Sequence, residues 1–362
     1  MTQAQAGTGG TLTTHAARPL LILAADDRNS LERDLYGLTA APTPEQAARI
    51  SADKMLIYQA LLDAAAQLPA SVQPGILIDE QYGAAIAELA ARTGGAISLA
   101  MPVEASGGPW FRYAYDDWQA HAGFFATDHT KILIRDNPGL EAGQRAAQAE
   151  RLAKVSDWAA ANDRALIVEL LVPASPADLT ALGGAAASYD ATLRPEHTVL
   201  VIEYLQDHGV TPALWEVEGL DRPGDALAVA AVAKRGGRTA DCIVLGRHAN
   251  HDHHLDHWLK VAAPVPGFTG FAIGRGKLVG PIARPSASPQ HRRRDPAQDR
   301  QHLFRLRSLL PRRPRRHASG AGHARNLVTK PRVNLDPVRA PRSVRKIIFQ
   351  PNGPWCEPRN LY

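Results

Sequence analysis

The sequence predicts a (β/α)8 barrel, a TIM barrel of the α/β class, over residues 19–275, and three observations predict it. Short aliphatic or β-branched runs alternate with longer alanine-rich stretches through eight successive units. The short runs are near-continuously apolar, which is the pattern of parallel strands buried on both faces. Polar and charged residues gather at the carboxyl ends of those runs, where barrels of this kind build their sites. An open doubly wound sheet fits less well, because residues 24–27 after the first run contain no glycine-rich turn.

In order, the strands are read at 19–25, 75–78, 97–103, 131–135, 165–171, 214–218, 241–245 and 270–273. A long helix at 44–68 opens with Pro44, which suits the first turn because a first-turn N–H has no helical partner to lose. A second helix, 84–92, follows the second strand. Residues 140–160 are rich in Ala, Glu, Gln, Lys and Arg, with the apolar stripe of a surface helix. A helix at 196–208 stops before Gly209, and one at 255–261 precedes the last strand.

Of 362 residues, 45% are hydrophobic, enough for a large core. Two cysteines, Cys242 and Cys356, cannot make a disulfide framework, and a cytoplasmic location is expected. No apolar run approaches the roughly 18 residues of a membrane span, so no membrane partner is expected. Residues 1–18 are small and polar and read as a flexible leader. The net charge of +5 averages two unlike segments. Residues 276–362 hold 17 arginines and three lysines against Asp295, Asp299, Asp336 and Glu357, a net +16, which leaves −11 on the rest. Twelve of the 27 prolines also fall there, so no packed core is expected. The segment reads either as a basic disordered tail or as out-of-frame translation of GC-rich DNA. Nucleic acid is not the expected partner, since only Phe304, Phe349, Trp355 and Tyr362 are available for base stacking.

The strand-end polar residues form a coherent set: Asp26, Asp27 and Arg28; Asp79 and Glu80; Glu104; Arg135, Asp136 and Asn137; Glu169; Glu216 and Glu218. Gly246-Arg247 and Gly274-Arg275 end the seventh and eighth strands. Glycine admits an oxyanion to the backbone N–H and arginine offers a planar fork, and these two strand ends are where barrels most often hold phosphate. Each arginine could equally pair with a neighbouring carboxylate. Buried carboxylates such as Glu169 and Glu216 are costly unless paired or functional. They suit proton transfer or binding of substrate hydroxyls, or else, for Glu169, an ion pair across the barrel with Lys131 or Arg135. His248, His251, His253, His254 and His257, with Asp252 and Asp256, suggest a metal cluster. No Cys or Glu stands at a recognised ligand spacing, so the segment reads as a solvated helix start and no metal is expected.

Several segments carry a family resemblance. They are 21–31 (LILAADDRNSL), 75–83 (GILIDEQYG), 99–107 (LAMPVEASG), 131–138 (KILIRDNP), 166–174 (LIVELLVPA), 194–210, 214–221 (LWEVEGLD), 242–247 and 256–275 (DHWLKVAAPVPGFTGFAIGR). Together they resemble the class I aldolase clan of tagatose-bisphosphate aldolases. The likeness is greatest to the aldolase-type domain fused to 5-dehydro-2-deoxygluconokinase in inositol catabolism. The resemblance implies cleavage of 6-phospho-5-dehydro-2-deoxygluconate to dihydroxyacetone phosphate and malonate semialdehyde. It implies no cofactor, a phosphorylated keto-sugar acid as partner, and leaves a homo-oligomer open. It implies that Asp27 and Lys131 contact the sugar, Glu169 assists proton transfer, and Arg275 binds phosphate. Arg28, Glu104, Arg135, Glu218, Gly246, Arg247 and Gly274 complete the expected binding site. The resemblance also places a Schiff-base lysine after the strand-six tryptophan, with burial lowering its pKa. Here Trp215 is followed by Glu216, which cannot form an imine, and Lys131 is the only other inward candidate. Nor does the sequence after Gly276 resemble the family's closing eighth helix.

Overall fold

The computed structural model describes residues 18–246 and 252–274. Eight parallel strands close in sequential order: β1 (Leu20–Ala25), β2 (Gln73–Ile78), β3 (Ser98–Pro102), β4 (His129–Arg135), β5 (Ala165–Leu171), β6 (Leu214–Glu218), β7 (Asp241–Gly246) and β8 (Phe268–Ile273). Around them run α1 (Asn29–Tyr36), α2 (Pro44–Ala65), α3 (Glu80–Ala91), α4 (Trp118–Phe124), α5 (Ala142–Ala161), α6 (Pro176–Ala181), α7 (Ala186–Thr192), α8 (Arg194–Asp207), α9 (Pro223–Ala233) and α10 (Asp252–Ala262). The expected (β/α)8 barrel is therefore the observed fold. All eight expected strands are present, with ends shifted by up to two residues. The leader, residues 1–17, and the segment 275–362 lie outside the described residues.

The strands' two faces do different work. Outward residues such as Ile132, Ile134, Val168, Leu170, Trp215 and Val217 pack under Leu152, Val155, Val201 and Leu205 of α5 and α8. On the other side Leu23, Ile76, Ile78 and Leu99 pack under Leu61, Ala64, Ile86 and Ala90 of α2 and α3. Inward residues Leu20, Ile22, Leu77, Ala100, Ile167, Ile243 and Ala272 form an apolar plug across the barrel floor. Fully burying one such aliphatic chain is worth about 1.5–3 kcal/mol, so both faces contribute to stability.

Five helices escape the sequence reading. α1, α4, α6 and α7 have at most eight residues, too short to show periodicity. α9 (PGDALAVAAVA) is apolar on nearly all sides, so no polar face marks it. Local chemistry starts α2 and α6. The Thr43 and Ser175 side chains each accept from the backbone N–H three residues on, and their own backbone N–H donates back to the Gln46 or Asp178 side chain, with proline at the first position. Among the described residues no helix is long and apolar enough to cross a membrane.

The barrel closes where β8 meets β1, with Leu20 paired to Gly270 and Leu23 to Ile273. Between β7 and β8 the register shifts, so that three steps from Phe268 to Phe271 oppose two from Cys242 to Val244. Gly270 lies in that bulge, and a Cβ there would sit 1.9 Å from the Leu20 carbonyl oxygen. That atom is backbone and cannot swing away. Gly270→Ala is expected to cost about 3 kcal/mol, the upper end of overpacking costs, by forcing the closing strands apart. Urea denaturation of the two proteins checks it; equal midpoints would refute this account of the seam.

Candidate functional site

The inward positions change character one layer above the plug. Lys131 on β4, Glu169 on β5 and Glu216 on β6 all point into the barrel, joined by Asp26 after β1 and Glu104 after β3. Lys131 Nζ donates to Asp26 Oδ2 at 2.9 Å, Glu104 Oε1 at 2.9 Å and Glu169 Oε2 at 2.7 Å. The lysine is fully buried. Glu169 and Glu216 are direct partners in the β5–β6 register, so their side chains leave the sheet side by side. Above this layer opens a cavity of about 820 Å³, lined by Asp26, Asp27, Arg28, Glu104, Arg135, Glu169, Glu216, Glu218, Gly246 and Gly274 among others. It stands at the carboxyl ends of the strands, where the fold places sites.

Four acids around one ammonium set the protonation states. Burial alone would lower the Lys131 pKa, but Asp26, Glu104, Glu169 and Glu216 outweigh it and hold the amine well above its ordinary range. The resemblance leads one to expect a lysine made neutral by burial, and Lys131 is shifted the opposite way. Burial raises the Asp26 carboxyl, yet Lys131, Arg28 and Lys54 more than offset it and Asp26 ionises more readily than usual. Burial pushes Glu169 up to about 7, against the attraction of Lys131 and with the help of Asp26 and Glu104. Glu216 is raised well above the carboxylate range by burial and then by Glu169, only partly relieved by Lys131. The layer therefore favours the ammonium form of Lys131 and the ionised form of Asp26, and biases Glu169 and above all Glu216 toward the protonated form. Among the described residues, Glu104 Oε2 and Glu216 Oε2 are buried and make no hydrogen bond.

The mouth is framed by two loops. After β3 the chain folds into a hairpin, with Ala105 N donating to Arg112 O and Ala114 N to Val103 O, and Glu104 bridging Tyr113. Gly107 (φ 79°) and Gly108 (φ 88°) turn its tip, where left-handed backbone favours glycine. Asn29 anchors the hairpin to α1 by two bonds to Ser106, and Arg28 donates to the Glu104 carbonyl at 2.7 Å. After β4, Asn137 Nδ2 reaches Pro173 O, Asp178 and the Tyr189 hydroxyl, and so ties down the loop after β5. After β6, Trp258 of α10 lies flat over Gly219 and donates to Asp221 at 2.8 Å.

The structure brings Lys131, Glu169, Glu216, Glu104 and Arg28 together. Asp27 lies at the rim and accepts from Ser30, while its neighbour Asp26 takes the lysine. Period-two alternation from Ala24 explains this: Ala25 points out to the helices and Asp26 points in. Arg135 is at the rim, donating to Gly108 O at 3.4 Å, and Glu218 accepts from Val172 N at 3.0 Å. For Glu169 the ion pair with Lys131, one of the two readings left open by the sequence, is present. Gly246 and Gly274 have a packing reason in addition to the expected anion role. A Cβ on Gly246 would lie 2.8 Å from Ile273, and one on Gly274 2.9 Å from the Ala24 carbonyl. Arg247 and Arg275, the expected phosphate arginines, lie outside the described residues, as do His248 and His251. His257 of α10 meets the Asp221 carbonyl at 3.1 Å. Sequence reasoning missed Lys54 of α2, which is buried against Asp79 and the Asp27 carbonyl. Its signal was available: Lys54 shares the helix stripe of the buried Ile50, Tyr58 and Leu61.

Residues 10–284 match the family described as "Uncharacterized protein conserved in bacteria (DUF2090)". No curated protein matches the sequence. Among solved structures, the Cgl0159 protein of Corynebacterium glutamicum is 19% identical, with 74% of this chain and 84% of that one covered, at a TM-score of 0.45. An archaeal fructose 1,6-bisphosphate aldolase is 17% identical over 75% of this chain and 92% of that one, with a TM-score of 0.47. The fructose-bisphosphate aldolase of Slackia heliotrinireducens is 13% identical over 74% and 79%, also at 0.47.

Glu169 titrates at about 7 in the folded protein against an ordinary value of 4.5. Folding therefore takes up a proton between those two values, and stability falls as pH rises through that window. Glu169→Gln, neutral throughout, should flatten the fall. Urea midpoints on either side of the window test this, and identical slopes in both proteins would refute the assignment.

Proposed function

We propose that this chain, which belongs to the DUF2090 family, is a phosphosugar-binding barrel that handles its substrate without a strand-six Schiff base. One observation carries the reading. The inward position of β6 is a carboxyl, Glu216, and the single inward lysine among the described residues is committed to three ion pairs. An ammonium has no lone pair with which to attack a carbonyl. What the layer can do is bind hydroxyls and move protons, since carboxyl groups accept from and donate to sugar oxygens.

The resemblance gives the substrate class: 6-phospho-5-dehydro-2-deoxygluconate or a related phosphorylated keto-sugar acid, with dihydroxyacetone phosphate and malonate semialdehyde as the cleavage products. On this reading Asp27, Arg28, Glu104, Arg135 and Glu218 hold the sugar. Gly246, Arg247, Gly274 and Arg275 hold the phosphate, and the protein acts in the cytoplasm as a carbon–carbon lyase or as a non-catalytic binder. Both versions share the phosphate-anchored ketose.

Calorimetry with dihydroxyacetone phosphate tests the binding reading. Binding is expected, and Arg275→Ala should weaken it about tenfold or more, the value of a lost charge-assisted hydrogen bond. Unchanged affinity in that variant would remove the phosphate assignment. Borohydride reduction in the presence of the same ligand should leave the wild-type mass unaltered, whereas Glu216→Lys should gain a covalent adduct. An adduct on any wild-type lysine would overturn the Schiff-base-free reading.

A further inference from the structure

The side-by-side carboxyls of Glu169 and Glu216, with the Lys131 ammonium beside them, form more than a binding surface. We infer that they enolise a bound α-hydroxy ketone without a covalent intermediate, with Glu169 as the base, Glu216 as the proton donor to the developing oxyanion, and Lys131 holding Glu169 in place. This rests on the reading that the mouth binds a phosphorylated ketose.

Three features lead to it. Two inward carboxyls on paired residues of adjacent strands cannot both ionise in a low-dielectric layer, so one keeps its proton. Glu169 is ion-paired with Lys131 at 2.7 Å while Glu216 Oε2 is buried with no hydrogen bond among the described residues, so the proton is better placed on Glu216, and the raised pKa of both groups agrees. The groups facing Glu169 are Asp26 after β1, Glu104 after β3, Lys131 on β4 and Glu216 on β6, and only the lysine is cationic. Second, Glu216 Oε2 and Glu104 Oε2 are buried without a hydrogen bond among the described residues, although both side chains line the cavity. Leaving such an atom unmet costs about 1–3 kcal/mol, and a ligand oxygen would meet it. Third, Lys131 lies 2.7 Å from Glu169, so negative charge that moves from the base onto the substrate stays beside the same ammonium.

The step balances with these residues alone. Glu169 removes a proton from the carbon next to the carbonyl. The C–H pair becomes the new C=C bond, and the carbonyl π pair moves onto oxygen. That oxygen takes the Glu216 proton. After Glu169 has exchanged its proton with solvent, reversal returns one to the same carbon, which labels it, or to the neighbouring carbon while the hydroxyl on the first carbon gives its proton to the Glu216 carboxylate and becomes the new carbonyl, which isomerises the sugar. Fixed donors aimed at an oxygen that gains charge lower the barrier because they need no reorganisation.

The test uses the full chain with dihydroxyacetone phosphate in deuterated buffer, following loss of the hydroxymethyl proton signals by NMR. Exchange above the uncatalysed rate is expected, increasing as pH passes about 7 where Glu169 ionises. Glu169→Gln, purified identically, should be slower by about 100-fold or more, the usual contribution of a general base. Glu216→Gln keeps a neutral donor and should retain more activity than Glu216→Ala. Thermal melts of each variant show whether it is folded, and the wild-type pH profile needs no variant. Binding by calorimetry without exchange would overturn this inference and leave the binding reading intact. Absence of binding would overturn both. Exchange that survives Glu169→Gln, or that accompanies a borohydride-trapped lysine, would show a different chemistry.

Discussion

A single ammonium group organises the working end of this barrel. Lys131 Nζ reaches carboxylates that follow β1 and β3 and one that stands on β5, and so ties three separate strand ends to the strand it stands on. Desolvating a lysine costs several kcal/mol, more than one exposed ion pair returns. Three short contacts in the same buried layer change that balance. The dependence is mutual. Remove the cation and Asp26, Glu104, Glu169 and Glu216 would face one another in a space that excludes most water. Some would have to take up protons, and the layer would lose the charge pattern that gives each acid its own role.

Glu216 makes the arrangement asymmetric. A lysine at that place, as the resemblance leads one to expect, would set two cations among three acids, and mutual repulsion would drive one amine toward neutrality. With an acid there instead, four carboxyls share one cation and the pressure reverses. The lysine is locked in its charged form and the excess falls on the acids, which keep a proton between them. On the proposed reading, the residue on β6 selects between a nucleophile and a proton-transfer site.

The strands were legible because each is buried on both faces, and such a run stays apolar whatever its neighbours do. The long amphipathic helices were legible because one side meets water. α9 was not, since the chain shows no contrast between its faces, and of the four short helices only α6 carries a side-chain N-cap. At the site, Lys131, Glu104, Glu169 and Glu216 could be read from their strand positions alone. Asp26 follows the in–out alternation one residue past β1 into the barrel, and its pairing with Lys131 appears only once the strands are closed, while Asp27 lines the cavity beside it. Lys54 and the hairpin after β3 depend on partners far away in the chain: Lys54 meets Asp79 on the neighbouring strand end, and the hairpin is fastened by Asn29. The stripe of α2 marks Lys54 as buried, but no local pattern names the partners.

The apolar floor has a bearing on how the charged layer reaches equilibrium. Leu20, Ile22, Leu77, Ala100, Ile167, Ile243 and Ala272 offer no hydrogen-bonding atom along which a proton could travel. The acids above them are therefore wetted from one side only, through the mouth. On the proposed reading a bound phosphosugar would lie across that route, and the acids would exchange protons with solvent more slowly while it stays.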